Sequence, residues 1–437
     1  MSRSVGDELE LLVGAVAAGG ACVARTEEGQ VVFVRHTLPG ERVVAILTGV
    51  TSSFLRADAV SVLSPAPSRV DAPCPFAGPG RCGGCDWQHV SLDEQRALKA
   101  ALVREQLVRL AGLDPDIVVE ELPGAPDGLG WRTRVQLAAA PDGRLGYHRH
   151  RSHDLEQIDH CLIATPDVAA IGALDLLWPG ASAVEVAADG AQRVVHVFGR
   201  GASVPPVEAG VVVEGRPVSV PHGLRHHVLG RSFEVAAGGF WQVHVSAASV
   251  LAAAVLDGLD AQPGESVVDL YAGVGLFAAL LAERVGPTGS VLAVEASQRA
   301  CADAARNTAD QPWARVKTAD VTPALVSGLA GRRRAPGRSG GWAAASREEG
   351  TGGPDLVVLD PPRAGAGLGV TRALAALRPR AVAYVACEPA SFARDLKVLL
   401  DAGWTMPSLR AFDLFPMTEH VELVALLRPP PAVGTDP

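Results

Sequence analysis

One stretch limits what this chain can become more than any other: residues 267–297, VVDLYAGVGLFAALLAERVGPTGSVLAVEAS. An apolar β-type run ending on Asp269 passes through a turn at Gly273 and Gly275, continues as the helix-like LFAALLAERV, and closes in a second β run, SVLAVEAS. That is one βαβ unit, the building block of doubly wound folds. Two glycines between a buried strand and a helix let the backbone come close to a ligand at the carboxyl end of the sheet. Glu295 ends the second strand about twenty residues past the turn, where a carboxylate can accept from both hydroxyls of a ribose.

A dinucleotide site shares this outline. Here, however, the turn reads GVGLF without a third glycine, and the first strand ends in an acid, as in S-adenosylmethionine-dependent methyltransferases. With 437 residues and 48% hydrophobic content, the chain has material for two or three domains with full cores. A net charge of −9, from 39 Lys+Arg against 48 Asp+Glu, argues against global attraction to nucleic acid. Any RNA contact therefore has to be a local basic patch. No apolar run reaches the length of a membrane span, and MSRSVGDELELL lacks a signal-peptide layout. The expectation is a cytoplasmic monomer that stays off membranes. Seven cysteines, an odd number, fit metal binding or catalysis better than a disulfide framework.

In chain order, residues 1–66 alternate β runs with turns: ELELLVGAV, ACVART, QVVFVRHT, ERVVAIL and FLRADAVSVL. Five short strands with a turn at Leu38-Pro39-Gly40-Glu41 predict a small closed barrel, with Cys22 as a core thiol. A proline-rich joint leads into CPFAGPGRCGGCDWQHV, where Cys74, Cys82 and Cys85 are spaced to turn inward around one point. A fourth ligand would complete tetrahedral zinc or a cubane cluster, a choice that spacing alone leaves open. Cys161 is the candidate, with His89 and His160 as substitutes. Residues 91–113 read as a helix whose Arg96, Lys99, Arg104 and Arg109 form a solvated basic face. Around the turn Pro141-Asp142-Gly143, a hairpin carries Arg144, His148, Arg149, His150, Arg151 and His153, with Tyr147 and Trp131 near enough to suit a phosphate backbone and a stacked base. Residues 165–235 read as further mixed strands, with some basic character from Arg225-His226-His227. Residues 327–353, rich in Gly, Ser, Arg and Ala without period, read as a mobile insertion loop.

Two further β runs end in chemistry. PDLVVLDPPRAG delivers Asp360, and AVAYVACEPASFARDL delivers Cys387, to the edge where such sheets keep their cofactors. The last strand pair, LRAFDLFPMTEHVELVALLRP, adds Glu419, His420 and Glu422. From the barrel and cysteine set through FWQV, DLYAGVGLF, DPPRAG, CEPASFARD and FPMTEHVE, the chain resembles the RNA uracil-5-methyltransferase family. It is most similar to members with an N-terminal TRAM domain and an iron–sulfur cluster that methylate 23S ribosomal RNA.

The resemblance implies an α/β Rossmann-like class I methyltransferase domain over residues 236–437, an OB-like TRAM barrel over 1–66, and a small α+β central domain over 67–235. It implies S-adenosylmethionine as cofactor, bound by Gln242, Tyr271, Gly273, Gly275, Glu295 and Asp320 and bordered by Asp360. It also implies that Cys74, Cys82, Cys85 and Cys161 ligate a 4Fe-4S cluster, that Cys387 is the nucleophile, and that Glu422 is the base. Three positions depart from the family's commoner pattern: Leu276 after the glycine turn, Glu388 after the nucleophile, and a first cysteine gap two residues longer. The expected partner is ribosomal RNA. The alternatives are a transfer RNA 5-methyluridine enzyme, a TRAM-type RNA-binding protein without catalysis, and methylation of cytosine carbon 5.

Overall fold

The five N-terminal β runs form the strands Glu8–Leu12, Cys22–Arg25, Val31–Arg35, Arg42–Val50 and Phe54–Ser64, in the sheet order first, fourth, fifth, third, second. The sheet closes on itself. Gly14 N–H donates to the Val23 carbonyl (2.7 Å) and Val23 N–H to that of Ala15 (2.9 Å), joining the first edge to the last. Closure removes exposed strand edges and gives the alternating side chains one shared interior. Val32, Val34, Val43, Ala45, Leu47 and Leu55 fill it completely buried. Cys22 joins them as the expected core thiol, 1% exposed, its Sγ toward the Thr37 carbonyl. At the Leu38–Glu41 turn, the fully buried Glu41 carboxylate accepts from the Leu38 N–H and is forked by Arg69 at 2.6 and 2.7 Å. A bidentate pair of this kind satisfies a charge that burial would otherwise make costly.

The computed structural model describes residues 3–330, 332–333, 343–344 and 353–431, so most of the predicted insertion 327–353 lies outside the described residues. The chain divides into two units. The first comprises Met1–Leu102, Pro123–His222 and Asp413–His420. Besides the barrel it holds a seven-stranded sheet in which Arg134–Ala139 and Leu145–His148 flank the predicted 141–143 turn. The residues expected to form a solvated basic helix face divide differently. Lys99, on the helix Leu92–Gln106, is fully buried and paired with the Asp413 carboxylate and the Phe415 carbonyl. Its charge is neutralised inside the unit, which overrides the helical pattern that placed it outside.

The second unit comprises Val103–Leu122, Gly223–Phe412 and Val421–Pro437. Its eight-stranded sheet runs Ala314–Thr318, Ser290–Glu295, Ser266–Leu270, Leu356–Leu359, Ala381–Ala386, Glu422–Arg428, Thr405–Asp413, Val119–Glu121. The first five strands are parallel, and Glu422–Arg428 enters antiparallel. The near-continuous Val, Leu and Ala runs of the three central strands, Ser266–Leu270, Leu356–Leu359 and Ala381–Ala386, are buried throughout, as a sheet covered by helices on both faces requires. From Ser266–Leu270 the chain winds outward through two strands, then resumes on the other side at Leu356–Leu359. That reversal is a topological switch point, and doubly wound sheets bind ligands in the crevice it opens. The hairpin of Gly223–Val228 and Arg231–Ala236 is held to this unit by Arg231, which bonds Glu283, Asp310 and the Asn307 carbonyl.

Among the described residues no helix is long and apolar enough to cross a membrane.

Candidate active site

At the switch point the strand Ser266–Leu270 delivers Asp269 into full burial. One of its oxygens accepts from the Ala278 N–H at 2.9 Å, and the other has no partner among the described residues. Burial raises this acid far above the usual carboxylate range, with Asp360 and Glu295 adding to the effect. The next residue but one, Tyr271, stands at φ 62, and Gly273 and Gly275 at 53 and 86. Gly275 has a second reason to be glycine: a Cβ there would lie 3.2 Å from Ala304 Cβ on the neighbouring helix. Glu295, at the end of the adjacent strand, accepts from Gly273 N–H (3.0 Å) and Ser297 N–H (2.8 Å). The ribose-type acid and the glycine turn are thus joined directly. Asp320 lies exposed just past the strand Ala314–Thr318. Gln242 follows Trp241, which is buried, stacked on His226 at 4.5 Å and packed near Phe233. Leu276 is buried as the first residue of the helix Leu276–Val285.

On the far side of the switch, Asp360 ends the strand Leu356–Leu359, Cys387 follows Ala381–Ala386, and Glu422 opens the last strand. These three act on one another. Burial lifts Asp360 to about 7. Burial first and Asp360 second raise Glu422, while Arg363 opposes them. The Cys387 thiol is pushed up to about 11 by burial, then by Glu422 and Asp360, with Arg363 again pulling down. A thiol and two acids in one desolvated place, facing one guanidinium, are groups whose protonation is set mutually. Glu419 belongs to the first unit, where its carboxylate accepts from the Gly19 N–H at 3.2 Å. The strand itself begins only at Glu422.

Residues 231–429 match the family model described as tRNA (uracil-5-)-methyltransferase, and residues 2–60 match the TRAM domain. An RNA methyltransferase of Streptomyces coelicolor, itself uncharacterized, is 47% identical over 97% of this chain and 93% of its own. The 23S rRNA (uracil(1939)-C(5))-methyltransferase RlmD of Alkalilimnicola ehrlichii is 31% identical over 97% of each. This chain belongs to the RNA uracil-5-methyltransferase family. Among solved structures, the tRNA (uracil-54, C5)-methyltransferase of Pyrococcus abyssi, in complex with S-adenosyl-L-homocysteine, shares its fold. Its TM-score is 0.68, with 21% identity over 96% of this chain and 100% of that one. The class I methyltransferase fold and the TRAM barrel expected from sequence are both present, and the enzyme is S-adenosylmethionine-dependent by family.

In this methyltransferase Cys74, Cys82, Cys85 and Cys161 line one cavity of about 40 Å³ in the first unit, together with Tyr147 and His160. His89 is turned away toward the Thr37 carbonyl. The loop is drawn against the basic hairpin by Gly83, whose N–H donates to the His148 carbonyl and where a Cβ would meet His150 N at 2.9 Å. Burial pushes Cys85 up to about 12, and its three neighbouring thiols add to the rise. Among the described residues no trio of His, Cys, Asp or Glu closes on a single metal ion.

The methyltransferase departs from the sequence reading at its aromatics. Trp131 is completely buried, edge-on to Phe415, and the Tyr147 hydroxyl points to Cys161 Sγ at 3.8 Å, so neither ring offers a face to a base. His226 is buried in its stack on Trp241, Arg225 stays exposed and pairs with Glu234, and His227 stays exposed. Arg144, Arg149 and Arg151 do stay exposed. Arg363 was missed as a site residue, although its place directly after Asp360-Pro361-Pro362 was signal enough.

Proposed function

We propose that this enzyme methylates carbon 5 of a uracil in 23S ribosomal RNA through a covalent adduct with Cys387. The observation that carries the reading is the shared electrostatic environment of Cys387, Glu422, Asp360 and Arg363 beside the glycine turn. Carbon 5 of uracil is too weak a nucleophile to take a methyl group directly. The Cys387 thiolate adds to carbon 6 and the ring becomes an enolate; carbon 5 then takes the methyl group. Glu422 removes the proton left on carbon 5, the electron pair restores the 5,6 double bond, and the thiolate departs. S-adenosylmethionine supplies the methyl group as part of a sulfonium cation.

The residues suit that cofactor. Gly273 and Gly275 leave the backbone bare, Glu295 fits a ribose, and Tyr271 and Asp320 follow the ends of the strands Ser266–Leu270 and Ala314–Thr318, while Gln242 joins the set on the family resemblance. Burial holds Asp360 and Glu422 toward the protonated form, and a bound sulfonium would favour their ionised form, the one Glu422 needs to act as base. Cys387 needs that help, because a thiol held at about 11 is almost wholly protonated at neutral pH. Arg363 and the cofactor's own charge both favour the thiolate. A uracil paired in a helix cannot reach these groups, so the base has to be unstacked or already in a loop.

The four-cysteine cavity holds a donor set that either a 4Fe-4S cluster or a structural zinc would take, and the family resemblance favours the cluster. Tetrahedral zinc draws its thiolates to about 2.3 Å from one point. A 4Fe-4S cluster takes its four thiolates around a many-atom core instead, and Cys74, Cys82, Cys85 and Cys161 are the residues that would hold it. Such a group would hold the loop 74–85 in place. Ribosomal RNA is favoured over transfer RNA by this cysteine set and by the similarity to the 23S rRNA enzyme across the whole chain. Nucleoside mass spectrometry of fractionated rRNA and tRNA from a deletion strain tests the proposal. Loss of one 5-methyluridine from 23S rRNA is expected; loss from tRNA alone moves the target, and loss from neither refutes it.

A further inference from the structure

The loop after Asp360 is fastened by a group that no step above uses. Asp395, on the helix Pro389–Asp401 that follows Cys387, is 2% exposed. One of its oxygens accepts from the Ala366 N–H at 2.7 Å, the Gly367 N–H at 3.3 Å and the Tyr384 hydroxyl at 2.7 Å. Tyr384, 1% exposed on the strand that ends at Cys387, also accepts from the Ala366 N–H at 3.2 Å. The turn is pressed against this carboxylate. Gly365 stands at φ 85, and a Cβ there would come within 2.7 Å of the Asp395 oxygen. Gly365 N–H closes back on the Pro362 carbonyl at 2.8 Å, so residues 362–367 form one tethered turn with Arg363 inside it.

We infer that Asp395 is a positioning residue of the active site: its carboxylate ties the Arg363 turn to the strand and helix that carry Cys387, and thereby sets the guanidinium against the thiol that must ionise. The strand-to-helix turn at Cys387 and the loop after Asp360 come from different βα units, and nothing in their sequence spacing fixes one against the other. Tyr384 and Asp395, three residues before and eight after the nucleophile, reach across to the same Ala366 amide, and Asp395 to that of Gly367 as well. Asp395 also adds to burial in pushing the Tyr271 phenol up to about 12, so the tie lies within electrostatic reach of the cofactor turn. A charged acceptor for three donors holds more tightly than a neutral one. Asn in its place keeps the shape and loses the charge.

The inference rests on Cys387 being the nucleophile, and its test separates the two. Single-turnover methyl transfer by the full-length protein, with RNA and labelled S-adenosylmethionine, is followed across pH for wild type, Asp395→Asn and Tyr384→Phe. Cofactor affinity and thermal unfolding are measured in parallel. Asp395→Asn is expected to slow transfer by up to about 10²-fold and to move the rising limb of the pH profile upward, because the thiol loses its placed cation. Its cofactor affinity should hold. Tyr384→Phe, which keeps the carboxylate, should show the same shift in smaller measure and decides the matter if the Asn variant does not fold. A pH limb that stays put in the folded variants, with activity falling only as the folded fraction or cofactor affinity falls, makes Asp395 merely structural and overturns the inference. Cys387→Ala assayed alongside separates the two readings, since methyl transfer by that variant would instead remove the reading of Cys387.

Discussion

Cys387 and the acids around it make the sharpest claims at the scale of single residues. Cys387→Ala is expected to abolish methyl transfer while leaving S-adenosylmethionine affinity near that of wild type, since in the proposed mechanism the thiol acts on RNA and not on the cofactor. Normal turnover in that variant would remove the nucleophile assignment. A second prediction comes from protons. Asp360, lifted to about 7 by burial, and Glu422, raised by burial and by Asp360, both favour the protonated form in the crevice. A sulfonium favours the ionised form, so binding it should release protons, and affinity should climb as pH rises through about 7. S-adenosylhomocysteine, neutral at sulfur, should gain less. Calorimetry of both ligands across this range checks the sign; an affinity ratio that does not change with pH contradicts it. Much of this residue set was legible in the sequence because each member ends or begins a β run at one edge of the sheet. Asp395 was not, because its role depends on which loop folds over it.

Elements follow from local chemistry where the periodicity is strong and escape it where a partner lies far along the chain. The parallel strands were readable as continuous apolar runs, and the glycine turn as a break between them. Lys99 shows the opposite case. Helical spacing put it beside Arg96 and Arg104, yet Asp413, 314 residues later, supplies a buried counter-charge. Trp131 was likewise read as an exposed stacking ring because its buried neighbour Phe415 is remote in sequence. Lys99→Ala should therefore cost about 3–5 kcal/mol in urea unfolding, the usual result of stranding one buried charge. A solvated lysine would cost about 0.5 kcal/mol or less. Gly275→Val should impair cofactor binding more than folding of the barrel, because it strains a positive φ and meets Ala304 at the same time. Unchanged cofactor affinity would count against the glycine turn as the binding element.

Across the whole molecule, composition limited the possibilities without choosing among them: the acidic balance allowed RNA binding only through local patches, and of the hairpin residues read as one, Arg144, Arg149 and Arg151 are exposed, with Arg149 paired to Glu156. The division of the chain was the least legible feature, since residues 103–122 count with the second unit and 413–420 with the first, and no composition shift marks either exchange. Protein purified without oxygen should be brown and contain iron and acid-labile sulfide; zinc without sulfide would make the four-cysteine cavity a structural zinc site instead. The central claim is that Cys387 holds the base covalently until Glu422 takes its proton. Denaturing electrophoresis of reactions containing RNA and methyl-labelled S-adenosylmethionine tests it directly, with Glu422→Gln compared against Glu419→Gln. A denaturant-resistant protein–RNA adduct carrying labelled methyl should accumulate with Glu422→Gln and not with Glu419→Gln. An adduct with Glu419→Gln alone would make Glu422 the wrong carboxylate, and an adduct with neither would contradict Glu422 as the base.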